Sequence, residues 1–280
     1  MSLFDGALMS PISESLLLLG LALVVTVVGF YRVVYFVSLG YAGSIALFAL
    51  LSLWRFGAQL PLGMTLQCAL LGLYGLRLGS FLFLREREPS YRKELADVQS
   101  RAVGLGLLYK LAIWIGVSVL YVLMFVPATF NIALHRSSPS ASASMVLVWL
   151  GVTVMTFGLL LESVADRQKA AFKRTSPNRF CDVKLYRLVR CPNYLGETIF
   201  WIGNFVCGAA AYLSYLHWLS SGVGLLCITL VMVGSTKRLE KKQAERYGGD
   251  PEYQRYVQSV PVLFPFVPLY SLQNWRIALG

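Results

Sequence analysis

A chain of 280 residues that is 56% hydrophobic and 14% charged, with a formal net charge of +11, does not read as a soluble domain, in which about a quarter of the residues are charged. Apolar runs near the ~20 residues that cross a bilayer recur along most of its length, and a backbone in lipid must satisfy its own hydrogen bonds as helix. The positive charge is divided among several loops and forms no continuous stripe, which argues against a nucleic-acid-binding protein.

The apolar runs predict spans near Ser15 to Phe30, Val34 to Leu53, Leu62 to Leu84, Gly104 to Phe125, Met145 to Val164, Tyr194 to Leu213 and Leu216 to Val233. The fold class is therefore all-α, a polytopic membrane protein of about seven transmembrane helices. The first run lacks a basic leader and a small-residue cleavage site, so it reads as a retained helix. Lys and Arg residues cluster after the third span (Arg85, Arg87, Arg92, Lys93, Arg101), after the fifth (Arg167 to Arg190) and after the seventh (Lys237 to Arg255), whereas the other side holds little more than Arg55 and Arg136. By the positive-inside rule the N-terminus is outside and the C-terminus cytoplasmic, which requires an odd number of spans.

Two halves emerge. Residues 1–132 carry four closely connected spans and read as a hydrophobic vessel. After a small, polar outer loop, Ser137 to Ser144, residues 145–272 carry three spans with a long cytoplasmic loop and tail, and read as a polar binding region. No nucleic acid or metal is expected as a partner; membrane lipid is.

Glu162, Asp166, Lys169 and Lys173 are spaced by four, three and four, which puts them on one face of a helix leaving the membrane. Such a face suits a polar ligand or a solvated helix end. Glu162 closes an apolar run, where an ionisable group is unfavourable unless partnered. Downstream, Pro192 is pre-set for a first helical turn, and Asn193, Glu197, Trp201 and Asn204 then share one stripe. That helix N-terminus favours an anionic ligand, with helix-helix hydrogen bonding as the structural alternative. In the third span Tyr74 and Arg77 lie one turn apart, with Arg77 about 12 Å before Arg85 along the helix axis. A guanidinium at that depth marks a functional site or snorkels to the surface.

Cys68, Cys207 and Cys227 sit in apolar spans, Cys181 and Cys191 in the cytoplasmic loop, and no CxxC pair exists. His135 and His217 are the only histidines. A disulfide framework, a zinc site and a Ser-His-Asp triad therefore lack material. Chemistry must come from Tyr, Arg, Asp, Glu or a bound cofactor.

The run Glu162-Ser163-Val164-Ala165-Asp166-Arg167-Gln168-Lys169, followed by Arg190-Cys191-Pro192-Asn193-Tyr194-Leu195-Gly196-Glu197 and Trp201, resembles the C-terminal domain of the steroid 5α-reductase family, closest to its bacterial branch. The tail, with Arg238, Glu240, Tyr247-Gly248, Tyr256, Val260 and Pro265, is similar to the closing segment of related sterol reductases. The resemblance covers roughly residues 145 to 270; further upstream it rests on span pattern and Tyr74-Gly75-Leu76-Arg77. It implies a seven-helix enzyme whose last three helices and cytoplasmic loops hold NADPH while the first four enclose a lipophilic enone. By position, Glu162, Asp166, Lys173, Arg179, Asn193 and Glu197 match the family's cofactor contacts, with Arg77, Arg238 and Tyr247 beside them. Tyr74 matches the tyrosine beside the substrate carbonyl. It would donate to the enolate oxygen that forms as hydride arrives, in the bacterial inner membrane or the endoplasmic reticulum.

Three departures stand out. The glutamate that partners the family's tyrosine has Gln59 as its nearest counterpart, and glutamine can share a hydrogen bond but cannot act as an acid. Cys191 stands where the family usually has His, and Lys184 where it usually has Gly before Leu185. Two other readings are a membrane methyltransferase of the isoprenylcysteine carboxyl methyltransferase type, using S-adenosylmethionine, and a lipid-binding relative without chemistry. Those methyltransferases usually carry a paired Glu-Glu near the last helix, where this chain has the single Glu240.

Overall fold

Pro11 opens the first helix, α1 (Pro11–Thr26), behind a Ser10 cap whose hydroxyl accepts from the Ser13 N–H at 3.3 Å. In this computed structural model, which describes residues 10–87, 104, 106–138, 145–273 and 275, a chain of helices follows. They are α2 (Val34–Val37), α3 (Leu39–Phe56), α4 (Leu62–Arg85), α5 (Leu107–Ser137), α6 (Met145–Thr175), α7 (Pro192–Ala209), α8 (Tyr215–Tyr247) and α9 (Pro251–Ser259). No strand occurs among the described residues. Arg92, Lys93 and Arg101, and residues 139–144 of the expected outer loop, lie outside the described residues.

Six stretches among the described residues are long and apolar enough to cross a membrane: Pro11–Phe30, Val34–Gln59, Leu62–Arg85, Leu107–Ser137, Met145–Thr175 and Tyr215–Tyr247. The protein is thus an all-α, polytopic membrane protein. The remaining expected span is also a helix, α7, made less apolar than the others by Asn193, Glu197 and Asn204. α6 has 31 residues and α8 has 33, well beyond the ~20 that fill a bilayer, so their ends reach past it. The C-terminal ends are where Lys173 and Arg174, and Lys237 to Arg246, are found.

Packing divides the chain into two units, Met1–Val152 with Asn204–Gly224, and Thr153–Gly203 with Leu225–Gly280. In the first, α3 lies most extensively against α4. A Cβ on Gly75 would stand 2.6 Å from the Ala42 carbonyl oxygen and 2.7 Å from the Ala46 nitrogen, so only glycine permits this approach of the two backbones. α1 is tied to α5 by Thr26 and Ser118, whose hydroxyls are 3.0 Å apart, and by the Trp114 indole N–H on the Leu23 carbonyl at 3.0 Å. Three carboxamides join deeper in this unit. Gln67 Nε2 donates to Asn204 Oδ1 at 2.9 Å, Asn131 Nδ2 to Gln67 Oε1 at 2.8 Å and to the Cys207 carbonyl at 3.0 Å, and Asn204 Nδ2 to the Met124 carbonyl at 2.9 Å.

In the second unit α6 and α7 cross backbone on backbone. A Cβ on Gly196 would meet the Glu162 nitrogen at 2.6 Å, and one on Gly158 the Gly196 oxygen at 2.6 Å. The loop after α6 folds around Phe180, whose ring lies 5.2 Å from those of Tyr253 and Tyr256 and 6.0 Å from that of Tyr247. The tail then wraps over the start of α7. Arg190 N–H donates to the Pro261 carbonyl at 2.9 Å and Cys191 N–H to that of Val262 at 3.1 Å.

Candidate functional site

Tyr74 projects from α4 into the interior of the first unit, where it is fully buried. Its hydroxyl lies 2.9 Å from that of Tyr41 on α3. The Gly75 contact, one residue on, is what lets the two helices come close enough for the phenols to meet. Tyr41 in turn stacks on Tyr121 of α5, with ring centroids 5.3 Å apart and planes at 24°. Tyr121 is itself fixed, because its hydroxyl donates to the Phe36 carbonyl at 2.7 Å. Arg77 follows Tyr74 by one turn and is half-buried.

Gln59 is not brought to Tyr74. It is exposed in the short turn Gly57–Gln59 that precedes α4, and its carbonyl lies 3.2 Å from His135 Nε2. Tyr74 stands twelve residues beyond the first residue of α4, about 18 Å along the axis, far beyond the reach of a glutamine side chain. The neighbour expected from Gln59 is supplied by Tyr41. Nothing in the sequence distinguished Tyr41 from an ordinary packed aromatic, since it lies in an apolar run. Gln67 and Asn131 carried a usable signal, being carboxamides inside apolar spans.

In the second unit the α6–α7 crossing buries Glu162 and Glu197, which are 4% and 6% exposed. Asp166 lies one turn beyond Glu162 and is half-buried, and Asn193 lies one turn before Glu197. The Asn193 Oδ1 is buried and accepts no hydrogen bond among the described residues. Lys173 is drawn into the loop: its ammonium donates to the Tyr247 hydroxyl at 2.9 Å, to the Pro177 carbonyl at 3.3 Å and to the Arg179 carbonyl. Arg179 pairs with Asp182 at 3.0 Å and with Glu252 at 3.2 Å. Arg238 is exposed and donates to the Ser235 hydroxyl at 3.0 Å.

The model of a family described as "Protein of unknown function (DUF1295)" matches residues 23–260. The chain belongs to the DUF1295 family. A fission-yeast relative, "Uncharacterized protein C594.04c" of Schizosaccharomyces pombe, is 30% identical over 138 residues, covering 42% of this chain and 38% of that protein. This DUF1295 chain therefore spans well under half the length of the curated relative it matches. No solved structure matches it.

The two departures in the loop of this DUF1295 chain have physical explanations. Lys184, standing where the steroid 5α-reductases that the sequence resembles usually have glycine, has φ of 53°, the left-handed region that glycine enters freely and other L-residues do not. Cys191 belongs to an apolar cluster with Val189, Leu195, Val262, Leu263 and Leu272. Burial pushes its thiol up to about 11, which disfavours the thiolate at neutral pH. Burial likewise raises the phenols of Tyr186 and Tyr256 well above the ordinary range; Tyr256 donates to the Tyr186 carbonyl at 2.7 Å and holds the loop.

The second unit holds donors and acceptors of the kinds that bind sugar hydroxyls and phosphates. The buried Asn193 carbonyl, which accepts no hydrogen bond among the described residues, could accept from a hydroxyl or an amide N–H, and exposed guanidinium groups such as Arg174, Arg187, Arg238 and Arg246 suit phosphate oxygens. The Arg179 pairs are half exposed, hence weak, and can exchange a carboxylate for a phosphate. Lys173, engaged by three oxygens, fits better as a brace for the loop. No group of three metal-ligating side chains occurs among the described residues.

Proposed function

We propose that the chain is an NADPH-dependent reductase of the activated carbon-carbon double bond of a lipophilic enone, steroid-like or polyprenyl. The observation that carries the reading is the Tyr74 hydroxyl, fully buried in an apolar helical unit and paired at 2.9 Å with a second phenol. Reduction of an enone generates negative charge on the carbonyl oxygen, and a phenol held in a water-poor site is a suitable acid for it. The signature Glu162 to Lys169 and Arg190 to Glu197, which resembles that of the steroid 5α-reductases, supports the same reading. NADPH, when bound, supplies hydride. Glu162, Asp166, Asn193 and Glu197 would hold its polar groups, with Arg179, Arg238 and Tyr247 beside its phosphates and Lys173 bracing the loop. In this reading Arg77 assists either Tyr74 or the cofactor, and the cofactor surface faces the cytoplasm.

Titration of the purified protein with NADPH, NADH and S-adenosylmethionine, followed by calorimetry, tests this. NADPH should bind in preference to NADH, and less tightly as salt is added, because phosphate recognition is largely electrostatic. Tight binding of S-adenosylmethionine with no binding of either nucleotide would overturn the reading in favour of methyl transfer.

A further inference from the structure

We infer that Tyr41 is a positioning residue that aims and polarises Tyr74, taking the place of an acidic partner; the inference rests on the reductase reading above. Each phenol carries one proton. In the ligand-free protein either of the two hydroxyls, 2.9 Å apart, can be the donor to the other. Once a substrate carbonyl accepts from Tyr74, that choice is gone. The Tyr74 proton faces the substrate, and Tyr41 becomes the donor to the Tyr74 oxygen.

The surroundings hold Tyr41 to this role. Its ring is stacked on Tyr121, and the Tyr121 proton is already given to the Phe36 carbonyl at 2.7 Å, which anchors the stack to the backbone at the end of α2. Tyr41 is 5% exposed, so little water competes for its hydroxyl. Gly75 sets the spacing of α3 and α4 at the backbone, so the helix contact holds the two phenols within reach of each other.

The chemistry is balanced as follows. NADPH, when bound, would supply hydride for the enone β-carbon, and addition there moves the double-bond electrons toward the carbonyl. The oxygen then takes the Tyr74 proton, giving an enol that tautomerises to the saturated ketone. Tyr74 is left as a phenolate. The hydrogen bond from Tyr41 stabilises that phenolate until water returns the proton. A hydrogen bond to a charge that exists only along the reaction path acts on turnover and not on substrate binding.

Infrared difference spectroscopy gives a readout that a merely structural role would not move. The probes are a 3-oxo-Δ4 steroid and an α,β-unsaturated polyprenyl ketone, each labelled with 13C at the carbonyl. Binding to the parent protein should shift the labelled C=O stretch to lower frequency, Tyr74→Phe should abolish the shift, and Tyr41→Phe should retain only part of it. Tyr41→Phe should also lower kcat about tenfold, the equivalent of one hydrogen bond, while KM stays within about twofold. Placing 3,5-difluorotyrosine at position 41, which keeps the shape and strengthens donation, should enlarge the shift. A parental shift and kcat in Tyr41→Phe, or an unchanged shift with the fluorinated residue, overturns the inference and leaves the reductase reading standing. Failure of both probes to bind the parent, or a shift that survives Tyr74→Phe, overturns the reductase reading and this inference with it.

Discussion

Arg190 and Glu240 form an ion pair at 3.1 Å whose side chains are only 2% and 6% exposed. Glu240 uses its second oxygen to accept the Leu272 N–H at 2.9 Å, and Arg190 also donates to the Tyr270 carbonyl. The pair is thus one of the points at which the C-terminal tail is fastened to the start of α7. Removing one partner strands a buried charge, so Arg190→Met should lower stability by about 3 to 5 kcal/mol. Replacing both, as Arg190→Met with Glu240→Leu, should recover much of that loss. Thermal melts in detergent check the energies, and faster proteolysis beyond Val260 in the single variant checks the tail.

Tyr74→Phe removes a hydroxyl and keeps the ring. Folding and NADPH affinity should be close to parental, while turnover of an enone falls by about a hundred- to a thousand-fold, the usual loss for a transition-state donor. NADPH consumption with a panel of enone steroids and polyprenyl enones is the measurement. A parental rate would assign the proton to another group.

Asn193 carries a carbonyl oxygen that is buried but bonded to nothing among the described residues. Its loss should therefore leave folding almost untouched and weaken NADPH by about tenfold, the equivalent of one hydrogen bond. Asn193→Ala, compared with the parent by melting with and without nucleotide, should show a smaller ligand-induced rise in Tm. An equal drop in Tm in both conditions would make the residue structural.

Lys184 holds a left-handed backbone that disfavours an L-residue by about 1 to 2 kcal/mol. Glycine relieves this strain, although its freer unfolded chain offsets about 0.5 to 1 kcal/mol. Lys184→Gly should thus stabilise the protein by about 1 kcal/mol, and Lys184→Val should destabilise it. Denaturation midpoints of the two variants decide the sign.

Cys191 is protonated in the folded protein up to about pH 11, whereas an unfolded thiol ionises near 8.5. Below the unfolded value both states hold the proton and the thiol adds no pH dependence. As pH rises from there toward 11, the unfolded state alone loses its proton, so stability declines across that window. Cys191→Ala should flatten this decline. Maleimide should label Cys191 at pH 8 only after unfolding.

The long apolar helices were legible because hydropathy and helical hydrogen bonding leave a membrane chain few alternatives. Pro192 likewise marked the first turn of α7. The Glu162 face and the Asn193 stripe followed from helical register alone. What register could not convey was depth of packing. The partner of Tyr74 was decided by a glycine contact between α3 and α4, which brings together residues thirty-three positions apart, while Gln59, nearer in sequence, stayed at the far end of the helix. Lys173 was placed on the correct face, yet its ammonium answers to the carbonyls of a loop that turns back on it, and loop paths leave no periodic trace. The meaning of the missing glycine at position 184 emerged only once φ was known.

The three carboxamides Gln67, Asn131 and Asn204 bind α4, α5 and α7 with groups that carry no charge at any pH. Their hydrogen bonds are therefore indifferent to acid, base and ionic strength, unlike the ion pairs of Arg32 with Glu86 and Arg55 with Glu14 that fasten other parts of the same unit. Salt that screens those ion pairs leaves this three-helix clasp in place, so the contacts it holds should be the last of the unit to yield.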